Sequence, residues 1–241
     1  MKTTATAIES KNLVLDVWGD YACFTRPELK GERVSYDVMT PSAARLILQC
    51  ILWKPIIEWR IFLIEVMNPI RWFNIRRNEV SEIAHIPQIP KGDVDYSIYA
   101  NECRQIRSSL ILRNVRYRIH AYFDFFPDYY KNKNSGTRED YTVSPEKFEA
   151  MFRRRASLGQ CHTQPYLGCR EFSCHFRLVE ESHVHEEQPI RKSRRLGMML
   201  YDYDYDVTPH KPMFFKARME QGVIRVPKWN SKEVIPIGAI R

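Results

Sequence analysis

At 241 residues the chain is long enough to bury a sizeable core without disulfide or metal staples, as one large domain or two small ones. Thirty-seven basic side chains against 29 acidic leave a net charge of +8, alongside 5 Trp, 13 Tyr and 12 Phe. Basic charge suits a phosphate backbone and aromatic faces suit unstacked bases, so single-stranded RNA fits better than a membrane, although an ordinary basic soluble protein has the same totals. Nine glycines make neither a P-loop nor a GxGxxG, which argues against a nucleotide-driven enzyme. MKTTATAIESK has no apolar core of signal-peptide length, and Glu58, Arg60 and Glu65 interrupt the most apolar stretch. Six cysteines without a CxxC are expected as free thiols in a reducing, prokaryotic cytoplasm.

In chain order, Asn12 to Trp18 predicts a first strand. WGDYACFTRPE (Trp18 to Glu28) and RVSYDVMTPSAAR (Arg33 to Arg45) then place Tyr21, Arg26, Arg33 and Tyr36 in loops ahead of a well-marked helix start. Thr40 is set to N-cap, Pro41 takes the first helical position, and Ala44, Ile47, Leu48 and Ile51 form an apolar face. A helix N-terminus emerging among arginines and tyrosines outlines a site for phosphate and bases; a capped surface helix with charged flanks is the plainer alternative.

A second strand runs from Pro55 to Pro69. Ile70 to Ser109 reads as a polar insertion, a hairpin and then a loop over Ile86 to Gly92. Leu110 to Phe125 is the clearest strand. After a polar loop (Asp128 to Asp140), a second helix starts with Ser144 as cap and Pro145 at its first position, faces Phe148, Met151 and Phe152 inward, and ends at Gly159. A fourth strand covers Phe172 to Val179. This β-α-β-β-α-β order is the ferredoxin-like plan, an α+β fold that RNA-recognition modules share. It gives a body over 1–180 with an insertion near 70–109. A small antiparallel extension over 181–241 has strands near Met198 to Tyr205, Met213 to Met219 and Val223 to Val226. RKSRR (Arg191 to Arg195) reads as a disordered loop.

Alternation along the third strand sends Val115, Tyr117, Ile119, Ala121 and Phe123 to one face, and Arg116, Arg118, His120 and Tyr122 to the other. If helices cover the apolar face, the basic face is open; a solvated strand face with chance arginines is the alternative. His120 and Tyr122 stand roughly 7 Å apart along the strand, a span that suits the two sides of one phosphodiester. A metal-free ribonuclease needs a base for the 2′-hydroxyl, an acid for the 5′-oxygen and a cation for the phosphorane. His120 is the proton-transfer candidate, Tyr122 the hydrogen-bond donor, and Lys54 or a strand arginine the cation. A structural histidine is the competing reading.

Cys161, His162, Cys169, Cys174, His175, His183 and His185 invite a zinc reading, but no ligand-pair spacing fits and buried thiols are the expectation. Tyr201 to Asp206 alternates tyrosine with aspartate, which suits an edge strand guarded by charge better than a row of metal carboxylates. Arg153, Arg154 and Arg155 suit the end of the second helix and could also touch phosphate.

With WKP (Trp53 to Pro55), RRNEV (Arg76 to Val80), LRNV (Leu112 to Val115) and QPYLGCREF (Gln164 to Phe172), the two opening motifs give a chain that resembles the fifth family of CRISPR-associated proteins. The resemblance is to the variant used by type I-C systems and runs from about residue 12 to about residue 225. It implies a RAMP-superfamily protein with a ferredoxin-like body. Such a protein would cut precursor RNA within each repeat without a metal or other cofactor, leaving a 2′,3′-cyclic phosphate and a 5′-hydroxyl. It would then stay on the 5′ handle of the crRNA within Cascade, beside seventh-family backbone subunits, the large PAM-recognising subunit and, once assembled, target DNA. The loops carrying Tyr21, Arg26, Arg33 and Tyr36, with Arg45, Arg113, Arg116 and Arg118, would hold the handle, and the 70–109 insertion would reach a backbone subunit. Cleaving relatives can carry tyrosine before WKP, where this chain has Leu52. A relative's histidine commonly stands at the place of Tyr122, with lysine among the residues at the place of His120. The competing function is a subunit that caps the 5′ handle without cutting.

Overall fold

The computed structural model describes residues 7–29, 31–82, 98–127 and 144–236. A short strand β1 (Ile8–Glu9) precedes β2 (Leu13–Ala22), which runs four residues past Trp18. Helix α1 (Pro41–Ile51) starts as its sequence dictates: the Thr40 hydroxyl accepts from the Ala43 amide at 3.3 Å, and Ala44, Ile47, Leu48 and Ile51 are buried. Strand β3 (Ile57–Val66) follows WKP.

The expected hairpin in the insertion forms as β4 (Trp72–Val80) against the first half of β5 (Arg104–Phe125), in antiparallel register from Trp72↔Leu112 to Val80↔Arg104. Because β4 supplies a partner there, β5 begins at Arg104 and not at Leu110. Asn114 of the LRNV motif has φ 52 and its carbonyl accepts from Asn68. Asn tolerates this left-handed conformation, and the position separates the arm paired to β4 from the body paired to β3. The Ile86 to Gly92 and Asp128 to Asp140 loops lie outside the described residues.

Helix α2 (Pro145–Ser157) buries Phe148 and Phe152 and half-buries Met151. Ser144 occupies its N-cap position without making a cap bond, which corrects the expected role of its side chain. Gly159, at φ 65, lies just beyond the Leu158 C-cap. Strand β6 (His175–Val179) and a single 3₁₀ turn (Glu181–His183) lead to β7 (Arg194–Asp204), β8 (Lys211–Glu220), β9 (Val223–Arg225) and β10 (Ile235–Pro236). Arg194 and Arg195 open β7, so two of the five residues of the arginine-rich run are strand, with Arg194 facing Asp37 at 3.8 Å.

The strands form one sheet ordered β10-β8-β9-β3-β5-β2-β6, with β1 and β4 also on β5, and β7 on β8. The fold is a large antiparallel sheet with two helices among the described residues. The expected C-terminal strands are present, and β9 pairs with β3 (Leu63↔Arg225), so they continue the sheet. Both helices pack on the face carrying Leu15, Ile119, Phe123, Trp59 and Ile61; the Trp59 ring lies 4.8 Å from Phe152 and 5.3 Å from Phe123. Replacing Thr40 by Ala leaves the α1 amides without their side-chain partner, and we expect a loss of about 1 kcal/mol in urea unfolding with an unchanged slope.

Candidate nucleic-acid interface

The opposite face of the sheet carries Arg116, Arg118, His120 and Tyr122, as alternation requires, but it is not the open basic surface expected from the sequence. Arg118 is 2 % exposed: its Nε donates to Asp16, itself fully buried, at 2.8 Å, and Nη1 donates to the carbonyls of Val184 and Glu187. Arg116 donates to the other Asp16 oxygen at 2.7 Å and pairs with Glu187. The segment after β6 therefore lies across the middle of this face, burying Arg118 in an ion pair and leaving Arg116 partly exposed beside it. Arg177 adds a third, more distant cation at 3.7 Å, and the buried Asp16–Arg118 pair needs that cover to stay dry.

Further along the face, His120 is 13 % exposed. Its Nε2 finds no hydrogen-bond partner among the described residues and sits 3.6 Å from a Glu65 oxygen that also lacks one. The Phe62 ring closes on His120 at 6.0 Å and on Tyr122 at 6.2 Å. Burial and then Asp124 push the Tyr122 phenol above its ordinary range, against the opposing pull of Arg60. Lys54 lies on the connection between α1 and β3 and lines a cavity with Trp53, Arg155 and His162.

The loop residues divide. Tyr36 is buried; its hydroxyl accepts from the Leu200 amide, Arg26 stacks over its ring at 4.5 Å, and burial raises its pKa to about 12. Arg45 is committed to Asp202 through two hydrogen bonds, tying α1 to β7. The β7 bulge between Leu200 and Asp202 buries both Tyr201 and Asp202, which breaks the expected tyrosine–aspartate alternation there. Tyr36 and Arg45 thus each hold α1 and its preceding loop to β7.

Tyr21 is exposed. Its ring lies 5.6 Å from Phe73 of the β4 arm and 6.3 Å from Phe172 of the QPYLGCREF motif, with Arg113 opposite it in register. Arg33 and Arg77 converge on Glu171 beside this cluster. Gly168 makes the arrangement possible: at φ +86, any Cβ would stand 2.0 Å from the Cys23 carbonyl oxygen. The loop can therefore lie directly on β2, and the Cys23 amide donates to Leu167 at 3.0 Å. Beneath it, hydrogen bonding with Cys23 lowers the Cys169 thiol pKa against its burial, with Thr25 and Arg33 pulling the same way.

Sequence reading missed Phe73 and Phe172 as partners of Tyr21; His175, noted only in the cysteine–histidine run, stacks its ring on Trp18 at 5.9 Å. Among the described residues, no group of three or more His, Cys, Asp or Glu is placed to hold a metal ion, and no helix is long and apolar enough to cross a membrane.

The CRISPR-associated protein (Cas_Cas5) family model of subtype Cas5d matches residues 12–227. The chain belongs to the Cas5 family. It is 42 % identical, over 91 % of its length and 96 % of the relative's, to a Mannheimia succiniciproducens protein named CRISPR pre-crRNA endoribonuclease Cas5d. A Thermus thermophilus protein of the same name is 33 % identical, over 92 % of this chain and 94 % of that one. Two solved structures share the fold. One is a CRISPR-associated protein with a TM-score of 0.68 and 21 % identity; the other is a functionally uncharacterized Streptococcus mutans protein with a TM-score of 0.67 and 22 % identity. Each comparison covers 95 % of this Cas5 chain and 99 % of the other.

The Asp16–Arg118 pair gives a pH test. Burial raises the Asp16 pKa, but the bonds from Arg118 and Arg116 outweigh it and hold the carboxyl below its usual range. Its stabilisation is therefore complete above the unfolded value, near 3.9, and is lost as pH falls through the lower folded value. We expect Asp16→Asn to cost about 3–5 kcal/mol in urea unfolding at pH 7 by stranding a buried cation, and less at pH 3.

Proposed function

We propose that this Cas5 protein cuts CRISPR precursor RNA within the repeat without a metal ion and then holds the crRNA 5′ handle as a subunit of a type I-C surveillance complex. The observation that carries the reading is the Tyr21–Phe73–Phe172 cluster, with Tyr21 and Phe73 exposed and Phe172 partly buried, flanked by Arg113, Arg33 and Arg77. Stacking surfaces alternating with cations are what single-stranded RNA needs, and two relatives matched over nearly all of the chain are named pre-crRNA endoribonucleases. The connection β2-α1-β3-β5-α2-β6 with neighbours β6-β2-β5-β3 supports a ferredoxin-like body. The β4–β5 arm, with Trp72, Val80 and Ile106 exposed, suits contact with a backbone subunit.

A non-cutting subunit that only caps the handle is favoured by one observation, the packed surroundings of His120. Incubating the chain with its own repeat RNA in EDTA, beside RNA carrying a 2′-deoxy group at the scissile nucleotide, separates the two. We expect cleavage of the first RNA alone, giving a 2′,3′-cyclic phosphate and a 5′-hydroxyl; intact RNA in both lanes identifies the capping subunit. Tyr21→Ala and Phe73→Ala should each weaken handle binding by about 1–3 kcal/mol, the contribution of one base stack, as measured by titration with the free handle.

A further inference from the structure

The β5 face holds one polar contact that packing alone leaves unfinished. Register places Leu63 of β3 opposite His120 and Glu65 opposite Arg118. The Glu65 carboxylate is thus the diagonal neighbour of the imidazole on one face, a separation that long side chains span. Its Oε2 stands 3.6 Å from His120 Nε2 and 3.6 Å from Arg118 Nη1. Both Oε2 and Nε2 are buried, and neither has a hydrogen-bond partner among the described residues. Arg118 bonds instead to Asp16 and to the carbonyls of Val184 and Glu187. Buried polar atoms are nearly always bonded, so an unmet donor–acceptor pair aimed at each other calls for a role beyond stability. The strand is also irregular here. A shift of register between Ile61 and Leu63 sets Phe62 as an extra residue against His120 and Tyr122, and such bulges re-aim side chains beside reacting groups.

We propose that Glu65 is the positioning residue for His120: its carboxylate accepts Nε2–H and fixes the imidazole so that Nδ1 meets the RNA and takes the 2′-hydroxyl proton. The proposal rests on the ribonuclease reading above. A separation of 3.6 Å is longer than a hydrogen bond, but such contacts are loose without substrate and tighten when it binds. A carboxylate on one ring nitrogen sets the tautomer and leaves the other nitrogen to act as base. The same carboxylate meets the charge made in the reaction. Once Nδ1 gains its proton, the imidazolium stands beside a buried anion, where opposite charges attract more strongly than in water. The 2′-oxygen bonds to phosphorus, the P–O5′ bond breaks, and the imidazolium gives its Nδ1 proton to the departing 5′-oxygen. No water, metal or oxidant is consumed. Burial and then Asp124 raise the Tyr122 phenol, so it stays protonated and donates a hydrogen bond to that oxygen. The inward turn of Nε2 is thus the grip on the imidazole.

The test is single-turnover cleavage of the repeat RNA by the full chain, by Glu65→Gln, by His120→Ala and by the two combined. Gln has the shape of Glu and keeps an oxygen towards Arg118, and binding of the free handle as tightly as by the parent reports an intact fold. We expect Glu65→Gln to lower the maximal rate by about 10-fold or more, and His120→Ala by about 100-fold or more. The RNA concentration for half-maximal rate should stay unchanged in Glu65→Gln. The combined variant should be no slower than His120→Ala, because a group that acts only through the imidazole has no effect once the imidazole is gone; a merely structural role slows both backgrounds alike. Nitrogen-15 NMR of the ring signal that His120→Ala removes gives a readout without cutting. The proton should reside on Nε2 in the parent and be shared between the two nitrogens in Glu65→Gln. Parental cleavage by Glu65→Gln or by His120→Ala, equal slowing in both backgrounds, or a parental proton on Nδ1 overturns the proposal and leaves the ribonuclease reading standing. A parent chain that does not cut overturns that reading and the proposal with it.

Discussion

Strand β5 is the constraint on which the rest depends. Over 22 residues it pairs with β1, β2, β3 and β4 in turn, so one segment fixes both the arm and the body. Its odd-numbered side chains over Val115 to Phe125 are wedged between the helices and the sheet. Its even-numbered ones must be satisfied on the far side by whatever else the chain provides. Asp16 and the carbonyls of Val184 and Glu187 meet that need for Arg118, and a buried guanidinium with a carboxylate and two carbonyls is well matched in hydrogen bonding.

Much of this was legible in the sequence. Thr40–Pro41 announced α1 through cap chemistry, and the alternation from Val115 to Phe123 assigned the faces of β5 correctly. The hairpin within the insertion was also foreseeable. These features are local, and local pattern reads them directly. What escaped was tertiary. Period-two alternation says which way Arg118 points but not that residues 184–187 will fold over it. Nor could it separate Tyr21, which stays exposed, from Tyr36, which sinks beneath Arg26. Burial of an arginine depends on a carboxylate about a hundred residues away, and a single sequence carries no mark of that pairing.

The site suffered from the same blindness. Lys54 was grouped with His120 and Tyr122 because all three are suitable reagents, and no residue pattern signalled that the connection after α1 carries Lys54 into a cavity with Arg155 and His162. His162 was noticed only as part of a cysteine–histidine run. Its position depends on a backbone amide reaching Cys50, a contact without a side-chain signature.

The union of β9 with β3 bears on how the molecule comes into being. Because Val223–Arg225 covers the flank of a strand made more than 150 residues earlier, that flank has no native neighbour while the nascent polypeptide is still leaving the ribosome. The backbone edge at Leu63, Ile64 and Glu65 is thus left bare through most of translation, and such edges recruit foreign strands. Synthesis of this protein therefore carries a window of vulnerability to aggregation that closes only when its last quarter emerges.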